Sequence, residues 1–223
     1  MNSLPFDFEI ADLGLVYYTN IIKEPQSIID DIMSMNERFI NKEHGDAFTI
    51  QTDWQPWQNE SAGTMETFCW QKFIPKPGAV TEQDYYYKEL SDLAKRIYDP
   101  LDIAYNHYAK ELYPFAHENI KSREFGVNML KYESGGFLPA HQDHGISSRV
   151  LSVVSYFNDD YEGGEIEFQN SDIILEPDPG SIVFFPSNFL YVHEVKEITS
   201  GTRYSLPHWY HNMEKPILSN GTA

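Results

Sequence analysis

After Pro114, and as far as Trp209, the chain is a succession of short apolar or alternating runs cut by turn residues. Runs of this length, rich in β-branched and aromatic residues and bounded by Gly, Pro, Asn, Asp or Ser, read as strands. They predict strands at 124–132, 149–158, 165–168, 173–175, 181–185, 191–195 and 203–209. The preceding part has a different rhythm. At 25–40, Ile28, Ile29, Ile32, Met33, Phe39 and Ile40 recur at helical spacing behind Pro25, which suits a first turn. Two further helices are expected at 82–98 and 101–113, separated by Pro100, with Leu90, Leu93, Ala94 and Ile97 as the inner stripe of the first. Between 44 and 81 the pattern dissolves into Gly, Pro, Asn and Gln around Trp54, Trp57, Phe68, Trp70 and Phe73. Short strands and long loops are expected there, with the rings either forming a lid or packing on the core. Helices followed by strands predict an all-β core with supporting α-helices. A chain of 223 residues fits one domain: a helical and loop support region at 1–120, a strand-built core at 121–211 and a tail at 212–223.

Charge narrows the partners. Acidic residues number 34 against 16 basic ones, a surplus that repels a phosphate backbone and argues against nucleic acid. No Lys or Arg lies between Val150 and Val195, while Asp159, Asp160, Glu162, Glu165, Glu167, Asp172, Glu176, Asp178 and Glu194 do. Those acids either solvate loops and strand edges or face a basic partner. Cys69 is the sole cysteine, which removes an intrachain disulfide and a thiolate zinc site and suits a reducing compartment. The first residues are acidic where a signal peptide needs basic ones, and no window holds eighteen consecutive apolar residues. A soluble, cytoplasmic protein with no membrane partner is expected; the oligomeric state is left open.

His141-Gln142-Asp143 is the sharpest local feature. Residues i and i+2 of an extended backbone project to one face and can grip one ion together. His193 follows some fifty residues later within a short predicted strand. Two histidines and one carboxylate on one face leave open positions suited to Fe(II) chemistry. On spacing alone, a surface His-Asp pair in a turn and a core histidine before an ordinary Glu are the better accounts.

The surrounding blocks go further. Leu130-Lys131-Tyr132, Gly135-Gly136-Phe137-Leu138-Pro139-Ala140-His141-Gln142-Asp143, Ser155-Tyr156-Phe157-Asn158, Gly163-Gly164-Glu165, Pro179-Gly180-Ser181, Phe185-Pro186, His193-Glu194-Val195 and Gly201-Thr202-Arg203-Tyr204-Ser205 follow in order up to Trp209. From Glu124 to about His211 this series resembles the prolyl 4-hydroxylase-like branch of the 2-oxoglutarate/Fe(II) oxygenases. The resemblance implies a double-stranded β-helix, a cupin-like jelly roll that buries the metal between two sheets with helices on the larger one. The run 149–158 agrees, being apolar on both sides: Val150, Val154 and Tyr156 on one, Leu151, Val153 and Phe157 on the other.

In that likeness His141, Asp143 and His193 hold Fe(II), and 2-oxoglutarate and O2 are co-substrates, with ascorbate as a supporting reductant. Arg203 lies ten residues after His193, past the turn Thr199-Ser200-Gly201, enough chain to leave one strand and re-enter the barrel on the next. Its planar, permanently charged fork matches the distal carboxylate of 2-oxoglutarate. Ser205 shares its face, Trp209 is the fourth alternating position, and by family analogy Tyr132 and Tyr156 reach the co-substrate through their hydroxyls. Phe137 stands where relatives often have tyrosine. Asn128 falls on the pocket face or satisfies backbone groups, whereas His144 and His208 point away. The implied reaction hydroxylates an unactivated C–H bond with release of succinate and CO2, and the carboxylate of Asp143 favours hydroxylation over halogenation. The implied substrate is a prolyl residue of a peptide or protein. A free amino acid or small metabolite is the alternative substrate, and a zinc hydrolase or a non-catalytic cupin-like binding module is the alternative class.

Overall fold

The computed structural model describes residues 6–40, 55–56, 65–69, 82–123, 128–145 and 148–213. Two strands come first, the exposed β1 (Asp7–Asp12) and the largely buried β2 (Leu15–Thr19), followed by helix α1 (Pro25–Ile40). Strands β3 (Gln55–Pro56) and β4 (Met65–Cys69) precede helix α2 (Glu82–Asn106), which loosens into a π-helical turn at His107–Leu112 before the short helix α3 (Pro114–Asn119). Then come β5 (Ser122–Arg123), β6 (Asn128–Glu133), β7 (Leu138–His141), β8 (Arg149–Tyr156) and β9 (Tyr161–Gly163). The last five strands are β10 (Ile166–Phe168), β11 (Ile173–Leu175), β12 (Ile182–Pro186), β13 (His193–Val195) and β14 (Ile198–His211).

The strands form two antiparallel sheets. The larger runs β1-β2-β12-β8-β14-β6-β4-β3, with β5 and β9 on β14, and the smaller runs β11-β10-β13-β7. Alternation along each strand of the large sheet divides its side chains between two layers. Val16, Tyr18, Val153, Phe184 and Leu206 pack outward against Ile28, Ile32, Ile97, Leu101 and Ala104 of the two long helices. Leu15, Tyr156, Val183 and Phe185 pack inward against Ile166 and Phe168 of the small sheet. Each Val, Leu, Ile or Phe among them contributes about 1.5–3 kcal/mol through burial. The result is the curled two-sheet jelly roll expected from the sequence, with helices covering the larger sheet.

Several local expectations are corrected. The region before residue 120 supplies β1 and β2, which extend the large sheet through the pairing Val16↔Phe184. The two helices expected at 82–98 and 101–113 are one helix, with Pro100 inside it. A proline there removes one helical hydrogen bond, but Ile97, Leu101 and Ala104 on either side are fully buried against the sheet and hold the helix together. In α1, Ile28, Ile29 and Ile32 are buried while Met33, one step around the helix, is 42% exposed. The turn expected at 199–201 is part of β14, which runs unbroken from Ile198 to His211. Gly201 makes this possible: at φ +78, a Cβ there would sit 2.5 Å from the Asp160 carbonyl oxygen where β14 crosses β9.

Most of 44–81, with Trp54, Trp57, Trp70 and Phe73, lies outside the described residues, as does the tail beyond Met213. The side chains of Phe39, Ile40, Phe68, Leu90 and Asn128 do too. Among the described residues no helix is long and apolar enough to cross a membrane.

Candidate metal centre

His141 ends β7 and His193 opens β13, and the two are direct partners across that antiparallel pair. Their rings lie side by side, with centres 4.3 Å apart. Asp143 sits just past the strand end, and one potential ligand atom from each of the three residues falls within 4.8 Å of the others. His141 Nδ1 is 2.8 Å from the Pro139 carbonyl and His193 Nδ1 is 3.1 Å from the Tyr191 carbonyl. A carbonyl only accepts, so each Nδ1–H donates to it and each Nε2 presents a lone pair to the interior. Phe185 and Phe168 wall in the His193 ring, with centres at 4.7 and 5.9 Å.

The electrostatics suit a cation. Burial opposes the charge on Asp143, yet His141, His193 and the Ser152 hydroxyl outweigh it and hold the carboxyl well below the usual carboxylate range. Burial pushes His193 down, against the pull of the Asp143 charge. Burial also works against protonation of His141, but its contacts with Asp143 and the Pro139 carbonyl prevail and raise it. One anionic oxygen and two imidazole nitrogens form the donor set associated with Fe(II) oxygen chemistry.

A cavity of about 280 Å³ opens from these three residues into the barrel. Arg203, Ser205, Tyr132, Tyr156 and Trp209 all line it, so every residue singled out for the co-substrate faces one space. Arg203 is 1% exposed, and its Nη1 donates to Ser205 Oγ at 3.0 Å. Its guanidinium carbon lies 5.0 and 5.1 Å from the ring centres of Tyr132 and Tyr156. Burial pushes the Tyr132 phenol up to about 12 against the pull of the Arg203 charge. Burial likewise raises Tyr156. Arg203 Nε and the Tyr156 hydroxyl are buried without a hydrogen-bond partner. A permanent charge and a hydroxyl left this way call for an anion with two acceptor oxygens. Gly164 fixes the fit: at φ +72, a Cβ there would lie 3.0 Å from Arg203 Cδ.

Trp209 is covered by Arg149, whose guanidinium carbon stands 3.6 Å from the ring centre. Arg149 was not singled out in the sequence; neither were Ser152 and Ser187 beside Asp143, nor Tyr161, which responds to the Arg203 charge. A serine between two valines on the inner face of β8 was the available signal for Ser152. His144 is exposed, with Nδ1 on the Arg149 carbonyl at 2.6 Å, and His208 is buried on the opposite side of the sheet beside Tyr98. Phe137 is half-buried and does not line the cavity.

Residues 127–211 match the family profile of the 2OG-Fe(II) oxygenase superfamily. The match runs from β6 to the end of β14 and includes His141, Asp143, His193 and Arg203. A stretch of 55 residues is 44% identical to a PKHD-type hydroxylase of Crocosphaera subtropica, spanning 24% of this chain and 24% of that relative. The oxygenase fold extends beyond the matched segment. A prolyl-4-hydroxylase of Pseudomonas putida aligns over 91% of this chain and 94% of its own, with TM-score 0.52 and 18% identity. A prolyl hydroxylase of Trichoplax adhaerens, solved with a peptide fragment of a hypoxia inducible factor, aligns over 91% and 86%, with TM-score 0.55 and 15% identity. The matched superfamily implies Fe(II), 2-oxoglutarate and O2, and the donor set and the buried Arg203, which line one cavity, fit the first two.

Proposed function

We propose that the whole chain is one catalytic unit, a 2-oxoglutarate-dependent Fe(II) dioxygenase that hydroxylates an unactivated C–H bond and releases succinate and CO2. The observation that carries this is Arg203, a buried guanidinium without an acidic partner among the described residues, in the same cavity as the His141–Asp143–His193 cluster. Zinc-hydroxide chemistry does not itself call for such a cation. His141, Asp143 and His193 hold the metal, which when loaded supplies the oxidising chemistry with O2 and 2-oxoglutarate. Arg203 takes the distal carboxylate of 2-oxoglutarate, with Ser205 orienting the guanidinium and the hydroxyls of Tyr156 and Tyr132 directed to the same group. The apolar wall of Leu130, Val154, Ile166 and Val195 keeps bulk water from the centre. Trp209, under Arg149, shapes the wall of the cavity.

For the substrate we propose a prolyl residue of a peptide or protein, supported by the prolyl hydroxylases that share this fold. The sole cysteine favours a reducing, cytoplasmic setting. Anaerobic addition of Fe(II) and 2-oxoglutarate should produce a weak visible charge-transfer band. Its absence from folded, metal-loaded protein would overturn the oxygenase reading. Turnover with proline-containing peptides, ascorbate and O2 should then add one oxygen to proline, localised by fragmentation. Unmodified peptides, together with succinate release stimulated by free amino acids, would move the substrate to that class.

A further inference from the structure

Asp143 lies beyond the end of β7, so strand geometry does not aim its carboxylate. Two serines do. Asp143 Oδ2 accepts a hydrogen bond from Ser152 Oγ at 2.6 Å, and Ser152 Oγ is 2.8 Å from Ser187 Oγ. Each serine is 1% exposed. A carboxylate that binds a cation can only accept, so the single proton of Ser152 goes to Oδ2. Ser187 must then donate to Ser152, and the chain has one direction, from Ser187 through Ser152 to Asp143. Backbone bonds anchor its far end: Ser187 N–H donates to the Val150 carbonyl at 3.2 Å, and the Ser187 carbonyl accepts from His144 N–H at 2.9 Å. With Oδ2 committed, Oδ1 is the oxygen that stands toward the histidines, 3.6 Å from His141 Nε2.

Resting on the metal site proposed above, we infer that Ser152, backed by Ser187, is a positioning pair that turns Asp143 toward the metal through one oxygen only. A carboxylate held by one oxygen takes one coordination position and leaves the neighbouring one to the co-substrate. Freed from Ser152, Asp143 would swing among several orientations, and the metal would have to order it on binding.

The test is calorimetric titration of the metal-free full chain with Co(II) alone, alongside the visible spectrum of bound Co(II) and a melting curve of each metal-free form. Ser152→Ala should weaken Co(II) binding about 10–100-fold and alter the spectrum, whereas Ser152→Thr, which keeps the hydroxyl, should stay within about threefold of the wild type. Ser187→Ala should cost a smaller factor, about three- to tenfold, and add nothing in the Ser152→Ala background, because both act through one hydrogen bond. Wild-type Co(II) affinity in folded Ser152→Ala would overturn the inference, and a lowered melting temperature alone would mark these serines as merely structural. Should Ser152→Ala not fold, unchanged affinity in Ser187→Ala overturns it equally. Failure of the wild-type chain to bind Co(II) would remove the metal site itself, and this outcome is visible before any variant is measured.

Discussion

Along β14, Tyr204, Leu206, His208 and Tyr210 turn toward the helices, while Arg203, Ser205, Pro207 and Trp209 turn into the cavity. Both faces bury a basic side chain, His208 and Arg203, each 1% exposed. Both bases leave ring or guanidinium nitrogens without partners. The resemblance ends with their protons. Burial drives His208 down to about 3, so at neutral pH the imidazole is uncharged and only its unmade hydrogen bonds cost stability. Arg203 cannot shed its proton and stays charged in the same degree of burial. A buried base that can neutralise itself is a packing residue with a flaw; one that cannot, and that has no acidic partner among the described residues, fits a place kept for an anion.

The comparison breaks most completely at the metal. His141→Ala or Asp143→Ala should abolish iron retention and turnover, because an incomplete donor set remains, while the melting temperature of the metal-free chain holds, since neither residue belongs to the helix-facing core. Full iron occupancy by elemental analysis in either variant would contradict the ligand assignment. Phe184→Ala, on the helix face, should do the reverse and cost about 3–5 kcal/mol of stability through the cavity it leaves.

Next in size is Arg203→Ala. Removing one side of a buried charge pair costs about 2–5 kcal/mol, read here as a steep rise in KM for 2-oxoglutarate with iron binding nearly unchanged. Normal use of 2-oxoglutarate by this variant would mean the anion site lies elsewhere.

The two faces also differed in how far the sequence disclosed them. The cavity face was legible through the ordered series of blocks from Leu130 to Trp209: spacing alone left His141, Asp143 and His193 with ordinary readings, the resemblance of the whole series singled them out, and alternation put Ser205 and Trp209 beside Arg203. The edges of the fold were harder. The run Leu15 to Thr19 is short, and only its pairing with β12, some 165 residues away, makes it a strand of the sheet. Pro100 obeys a local rule that the burial of Ile97 and Leu101 outvotes. Ser152 and Ser187 are ordinary residues 35 positions apart, and the pairing of β8 with β12 is what brings them together behind Asp143.

A third test concerns His208. Its pKa is about 3 folded against 6.5 for the free side chain, so between those values the unfolded chain binds the extra proton. Stability therefore rises with pH across that window and is lost as the pH falls below 6.5, by about 1.4 kcal/mol per pH unit for this one group. Burial depresses His107 and His193 in the same direction, so the diagnostic is the difference between chains. In His208→Phe, denaturant titrations between pH 4.5 and 6 should show a slope shallower by about one proton. An unchanged slope would mean that the imidazole is already solvated or partnered.

The smallest and most discriminating effect is expected from Tyr156→Phe. The Tyr156 hydroxyl is buried in the cavity wall with no hydrogen-bond partner, and its ring lies 5.1 Å from the Arg203 guanidinium carbon. A buried hydroxyl without a partner costs about 1–3 kcal/mol of desolvation, so its removal should leave the metal-free protein as stable as before or more so, by about 1 kcal/mol. If the hydroxyl is kept for 2-oxoglutarate, the same change deletes one hydrogen bond to a carboxylate, about 1.5–3 kcal/mol, and weakens co-substrate binding about tenfold or more. Opposite signs in stability and affinity are what separate a hydroxyl held for a ligand from one that merely fills the core. Denaturant titration of the metal-free chain gives the first sign, and titration of the Fe(II)-loaded chain with 2-oxoglutarate under anaerobic conditions gives the second. Loss of stability with unchanged affinity would return Tyr156 to the core and leave Arg203 with Tyr132 and Ser205 as the polar end of the cavity.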